Sequence, residues 1–446
     1  MIGSSGDIDC AGDWIVTTVV EPAASECRTI GRVSRGSENS DPTARVTILI
    51  DYLAIKGFKS FENVELNLGA LNFFVGTNSS GKSNLFDAIR VLQGIGYGLR
   101  VDEIFNGKPK SANSDVWQPI RGGGANAGLL KWDPSKQQRI RSRVTIGVRG
   151  ESLAGHFDYS ITLSPISGKV VRERLSNRDR IVFSNDGLKY TSADAGLWLT
   201  QGRQFDNGQP GLSQIESVFE SDTAFGDVRA LLALLSDCQH LEPIPAVLRE
   251  YSASREVQRL GERGENFAAL VQTILAGKAT ATAYRSWLER LTPRDLDDIV
   301  IVKGALGEPM FALRHGTRRF PAPVLSDGTL RFAALTAAFF QPDMPQTMVL
   351  EEIENGIHPS RLRLLVELLK SRASTDRPQI MASTHSPVVV DWLTSEDLDH
   401  CFLFRHEEKT GVSLVQPLST LPRLKEIVKQ QPAGELFAEG WMENSA

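Results

Sequence analysis

Residues 76–83, Gly76-Thr77-Asn78-Ser79-Ser80-Gly81-Lys82-Ser83, fit the phosphate-binding pattern G-x-x-x-x-G-K-[ST] at every fixed position. The pattern has a chemical reason. Gly76 and Gly81 let the backbone turn tightly enough for its N–H groups to face a polyphosphate, Lys82 reaches the β/γ-phosphates, and the Ser83 hydroxyl ligates Mg²⁺. Gly76, Asn78, Gly81, Lys82 and Ser83 are therefore candidate nucleotide ligands, with Ser83 on the metal.

Three later segments carry the remaining candidate chemistry. Leu325-Ser326-Asp327-Gly328-Thr329-Leu330-Arg331 opens an Ala/Phe-rich helix. Its amides and the Ser326 hydroxyl would make a second anion site, although Ser-Asp-Gly is also a common turn and helix cap. Next, the apolar run Thr347–Leu350 leads into Glu351-Glu352 and then Ile353-Glu354-Asn355-Gly356-Ile357-His358-Pro359. Open α/β sheets bind ligands at the C-terminal ends of their strands. There one carboxylate can hold Mg²⁺ while the next polarises the attacking water, which assigns Glu351 to the metal and Glu352 to general base. Last, Ile380-Met381-Ala382-Ser383-Thr384 would deliver His385 to the same edge, within reach of a γ-phosphate. A lone histidine is more often structural; its place in this order is what makes it a catalytic candidate.

The elements needed to position these residues are legible as patterns. Ala70–Val75 is a short apolar run of strand character, and Leu85, Phe86, Ile89 and Leu92 behind the loop fall at helical spacing. Val46–Ile50, Leu53–Ile55 and the alternating Val64–Leu68 predict a small sheet beside the loop. The Gly-rich stretch ending at Arg121-Gly122-Gly123-Gly124 reads as a boundary. Strand-like alternation follows over about 138–190 and helical periodicity over about 224–295. Strand signals return at Ile299–Val302, Thr347–Leu350 and Gln379–Ala382. The domain expectation is a flexible extension over 1–45, an N-terminal lobe over 46–124, an inserted arm or lid over 125–315, and a C-terminal lobe over 316–446.

Together and in this order the motifs resemble the ABC-type ATPase head of the SMC and RecF proteins, and more closely the stand-alone bacterial AAA-family ATPases of the OLD/RecF-like branch. Lys56-Gly57-Phe58-Lys59-Ser60-Phe61 is similar to that group's "FKSF" strand. Leu260–Phe267 resembles its "dGxNL" segment, and Gly434–Gly440 its "GELWxxG" ending. The likeness covers about residues 46–445. It implies an α/β, RecA-like P-loop head that dimerises head-to-tail around two ATPs. Lys59 and Asn84 would join the nucleotide ligands, and Ser326 and Gly328 of one subunit would complete the site on Lys82 of the other. Glu351 stands where most ABC proteins have Asp, as in the branch itself. The glutamine that usually senses Mg²⁺ is not placed: Gln93 and Gln118 are weak candidates, each more readily read as a surface glutamine.

Bulk properties restrict what such a head could drive. The 446 residues allow two or three domains, and 41% hydrophobic content is enough for real cores. A net charge of −5 argues against a uniformly basic surface, so nucleic-acid contact would need a local patch. Arg139, Arg141 and Arg143 alternate, with Arg172, Arg174, Arg178 and Arg180 nearby; this could be a phosphate-binding ribbon or a solvated sheet face. Cys10, Cys27, Cys238 and Cys401 form no C-x-x-C pair, which speaks against zinc and disulfides and suits a reducing cytoplasm. No apolar stretch is long enough to span a bilayer. The first 45 residues read as a mobile extension, with a partner-binding tail as the alternative. The 61 residues after His385 are too few for the TOPRIM nuclease domain of OLD proteins, and Asp397-Leu398-Asp399 reads as a solvated turn. The expectation is therefore an ATPase that controls a separate nuclease or toxin effector in antiphage defence, with DNA as a further candidate partner. A RecF-like repair ATPase and a nucleotide-gated scaffold are the alternatives.

Overall fold

The computed structural model describes residues 49–445 apart from 109–116, 153, 179, 186–189, 192–204, 219–225, 292–296 and 375–377. The expected extension over 1–45 lies outside the described residues. The phosphate-loop strand Leu71–Val75 lies within a six-stranded sheet ordered Cys238–Leu241, Thr347–Leu350, Gln379–Thr384, Leu71–Val75, Cys401–Glu407, Val412–Pro417. The first five strands are parallel and the last is antiparallel. Parallel strands covered on both faces are continuous buried runs rather than alternating ones, and every residue of Thr347–Leu350 and Gln379–Thr384 is buried.

Alternate side chains of this sheet enter two different cores. Phe73, Val75, Met348, Leu350, Ile380 and Ala382 pack with helices Phe267–Ala276, Asp327–Ala338 and Pro359–Ala373. Phe74, Val349, Met381, Phe402 and Phe404 face the other way, onto helix Lys82–Gly96. Phe74 stacks on Phe402 at 5.7 Å and meets Phe86 and Phe404 edge-on at 5.7 and 5.9 Å. These contacts key the loop strand and the loop helix to one another.

The far wall of that second core is a seven-stranded antiparallel sheet. Its order is Tyr190–Thr191, Arg180–Asn185, Lys169–Asn177, Gly155–Ser164, Val144–Ser152, Leu49–Phe58, Phe61–Asn67. The strands expected in an inserted arm thus extend the sheet begun by Leu49–Phe58, pairing through Leu53↔Val148 and Ile55↔Ile146. Later in the same 125–315 stretch, Cys238–Leu241 forms the edge of the central sheet. Sequence separation hid this: antiparallel alternation is the same in an arm and in a lobe, and only the partner tells them apart. The stretch also ends in a three-stranded meander (Asp298–Lys303, Pro309–His315, Arg318–Pro321), which runs through the turn Ala322–Val324 into Ser326.

Of the two readings of the arginines, the single ribbon does not form on one strand. The strand Gln138–Arg141 ends before Arg143, and Arg141 is spent on Gly128 O and Asn126 Oδ1 at 3.0 and 2.8 Å. Arg180 pairs with Asp227, whereas Arg172 and Arg174 lie on the exposed side of Lys169–Asn177. Asp397 and Asp399 occupy a short helical turn and pair with Lys370 and Lys425.

One buried side chain joins the two sheets. Gln379 donates to Ile50 O at 2.8 Å and Gly69 O at 2.9 Å, and accepts from Ile50 N at 3.3 Å. Gln379→Leu would strand the Ile50 N–H and C=O away from water, while Gly69 O keeps Asn72 as a donor. We expect a loss of about 2–3 kcal/mol, read as a lower urea midpoint with the secondary structure retained before the transition.

Candidate active site

Helix Lys82–Gly96 begins at the loop, and its cap, Gly81, has φ 110°, a conformation that a side chain makes costly. A Cβ there would also strike Ser413 Oγ from the last strand. Ser413 donates to Ser60 Oγ at 2.7 Å, and Asn84 donates to the same oxygen at 2.8 Å. Asn84, expected as a nucleotide ligand, is thus occupied in bracing the loop against the neighbouring hairpin. Thr77, Asn78 and Ser79 are exposed along the loop.

Lys82 is 6% exposed, and its Nζ donates to Gly76 O at 2.6 Å and Thr77 O at 2.9 Å. Burial lowers its pKa below the usual lysine value, and Glu354 and Glu352 are near enough to oppose that shift. Ser83 Oγ lies 3.4 Å from Glu351 Oε2, so the loop and the carboxylate strand meet across 268 residues of sequence. Burial raises the Glu351 pKa, against the pull of Arg121.

Glu352 has φ 47°, unusual for a residue with a side chain. Three contacts hold it there. Its N–H donates to Ser383 Oγ at 3.0 Å, its carbonyl accepts from Arg331 Nη2 at 3.1 Å, and its carboxylate accepts from Asn355. Glu354, 8% exposed, accepts the His385 N–H at 2.5 Å and lies 2.9 Å from His385 Nδ1. The backbone of His385 is thereby tied to a carboxylate that the sequence reading had not singled out, while its Nδ1 makes no hydrogen bond.

Sequence reasoning also missed two charged residues at the metal side. Asp87, 4% exposed, pairs with Lys59 and with Arg121 Nε at 3.1 Å. Lys59 is thus turned to this carboxylate. Arg121 also grips Glu351 through Nη1 at 3.2 Å and Nη2 at 3.0 Å, and Ser83 O through Nη2 at 3.0 Å. Asp87 carried a signal, a charge inside the apolar run Leu85–Ile89; Arg121, in a Gly-rich stretch, carried none. Gln93 is buried and donates to Cys238 O, a structural role, and Gln118 is exposed.

The Ser326–Gly328 turn lies elsewhere. Ser326 caps its own helix, accepting from Thr329 N at 3.3 Å. Gly328 sits against Gly356 O, where a Cβ would clash. Both line an open cleft with Asp327, Gly356, Ile357, His358, Ser360 and Arg361, and no phosphate-loop residue is part of it. Arg331, one turn into the helix, donates to Glu351 O at 3.2 Å.

The donor set fits a magnesium nucleotide. Lys82 is turned onto the carbonyls of its own loop, and Ser80 Oγ and Glu354 Oε2 are buried without hydrogen-bond partners. The hydroxyl and carboxylate of Ser83 and Glu351 are hard oxygen donors of the kind Mg²⁺ prefers.

A family model described as "AAA domain, putative AbiEii toxin, Type IV TA system" matches residues 140–391, more than half of the chain. The chain belongs to this family. A second AAA-domain model matches residues 52–97, spanning the phosphate loop. The chain carries the AAA ATPase domain of that family on an α/β P-loop fold. An OLD nuclease of Thermus scotoductus is 22% identical over 361 residues, 77% of this chain and 60% of its own length. The chain therefore spans about three-fifths of that relative. Among solved structures, an SMC head bound to the C-terminal winged-helix domain of ScpA covers 85% of this chain and 99% of its own at 15% identity, with a TM-score of 0.47. The SMC head domain from Thermotoga maritima covers 82% and 98% at 17% identity and a TM-score of 0.37. No helix among the described residues is long and apolar enough to cross a membrane.

Two substitutions test the chemistry. Lys82→Ala removes the only ammonium lodged within the loop, and we expect ATP turnover to fall roughly 10²–10³-fold. Glu352→Gln should retain nucleotide binding and lose roughly 10²–10⁴-fold in turnover, because an amide cannot accept a proton from water. Nucleotide-binding and phosphate-release assays run side by side separate the two effects. Wild-type turnover in Glu352→Gln would remove it as the base.

Proposed function

We propose that this protein is a magnesium-dependent ATPase that hydrolyses ATP at a head-to-tail dimer interface and so controls a separate effector, a nuclease or toxin, in antiphage defence. The observation that carries the reading is the placement of the Ser326–Gly328 turn. Ser326 and Gly328 open onto a cleft that contains no phosphate-loop residue, which is the arrangement expected if each chain contributes this face to the nucleotide of a second copy.

In this reading Gly76, Gly81 and Lys82 hold the phosphates, and Ser83 and Glu351 hold Mg²⁺. When bound, the metal neutralises charge developing on the phosphoryl oxygens. Glu352 accepts the proton of the attacking water, and His385, whose backbone is held by Glu354, donates to the γ-phosphate. The Ser326 hydroxyl and the amides after it complete the site across the interface. Turnover would then open and close the paired heads, and that motion would be transmitted to the effector. The likeness to an OLD nuclease and the toxin–antitoxin wording of the family description support an output in defence.

Ser326→Arg is the decisive variant. We expect each chain to bind ATP as before while turnover falls by roughly 10²-fold or more, since the bulky cation blocks the face offered to a second copy. Mixing it with Lys82→Ala should restore at most one composite site per dimer. Unchanged hydrolysis in Ser326→Arg would mean that one chain holds a complete site.

A further inference from the structure

Arg121 makes the most concentrated set of charged contacts at the metal side, and the motif chemistry does not use it. Its guanidinium has two working edges. Nε is 3.1 and 3.2 Å from the two Asp87 oxygens; Nη1 and Nη2 are 3.2 and 3.0 Å from the two Glu351 oxygens. Such paired, charge-assisted bonds are the strong kind. A divalent cation held by Ser83 and Glu351 needs the same carboxylate oxygens that the Nη edge takes. The two cations compete for one group.

The surroundings make Arg121 the movable member. Its side chain is 51% exposed, whereas Asp87 is 4% exposed and keeps Lys59 as a second partner. Arg121 can therefore turn its Nη edge away from Glu351 while Nε stays on Asp87; Asp87 stays paired, and Glu351 is left to the entering cation. We propose that Arg121 is the internal counter-ion of Glu351: it holds this carboxylate in place beside Ser83 and yields it when a divalent cation enters with the nucleotide. It is a positioning residue. While it is engaged, it discourages the site from taking up a metal ion alone, so metal and nucleotide arrive together.

The inference rests on the reading of Ser83 and Glu351 as metal ligands, and its test does not use turnover. Binding of Mn²⁺ alone, without nucleotide, is followed by the loss of its free-ion electron paramagnetic resonance signal. Wild type should bind weakly, and Arg121→Gln should bind about tenfold more tightly, equivalent to ~1.4 kcal/mol. The gain should vanish in Arg121→Gln/Glu351→Gln. Arg121→Lys, whose single ammonium cannot span both carboxylate oxygens, should fall between wild type and Arg121→Gln, and it carries the test if the glutamine variant does not fold. No gain in either variant, or a gain that survives loss of the Glu351 carboxylate, overturns the proposal. A fluorescent ATP analogue with Mg²⁺ is titrated into wild type in parallel. Absence of that binding refutes the ATP-site reading itself, whereas normal binding with unchanged Mn²⁺ affinities refutes only the role of Arg121.

Discussion

Side-by-side parallel pairing of three strands is the constraint on which the site depends. Leu71–Val75 lies next to Gln379–Thr384, which lies next to Thr347–Leu350, in a register that pairs Val75 with Thr384 and Ala382 with Leu350. Level strand ends mean that the chain leaving each strand emerges at the same edge. The phosphate loop, the two glutamates and the histidine are thus neighbours because of backbone pairing, although 309 residues separate the ends of the first two paired strands. Both faces of these strands are covered, so a shift in register would drive Gln379 and its neighbours into the wrong core.

Electrostatics then explains why so many charges tolerate one small region. Lys82 is enclosed by carbonyls and lies near Glu352 and Glu354, while Asp87 and Glu351 are bridged by Arg121 and backed by Lys59. Anions and cations alternate through the site, and each buried charge has an opposite neighbour. Burial nevertheless leaves the Lys82 and Glu351 pKa values displaced toward the neutral forms. That is the condition in which a bound polyphosphate and its cation have most to offer.

The α/β class, the strand–loop–helix unit and the edge where the glutamates and His385 gather were all readable in the sequence, because each is written in a few consecutive residues. What could not be read depends on partners distant in the chain. The alternation of residues 144–177 gives strands without saying that Val144–Ser152 pairs with Leu49–Phe58. Asn84 and Lys59 matched a family pattern, but their side chains are directed to Ser60 and Asp87. Arg121 lies 38 residues after Ser83 and 230 before Glu351, in a stretch whose glycines suggested only a break.

Arg331 ties the helix that starts at Ser326 to the carbonyls of Glu351 and Glu352, and Gly328 is pressed against Gly356 just beyond them. The face a chain would lend to a neighbour and the carboxylate turn it keeps for itself are therefore one stiff piece of protein. In a pair of such chains, a strain felt at one nucleotide has a short mechanical tether to the other. The two sites would work like the pans of a balance, each reading the load on its opposite.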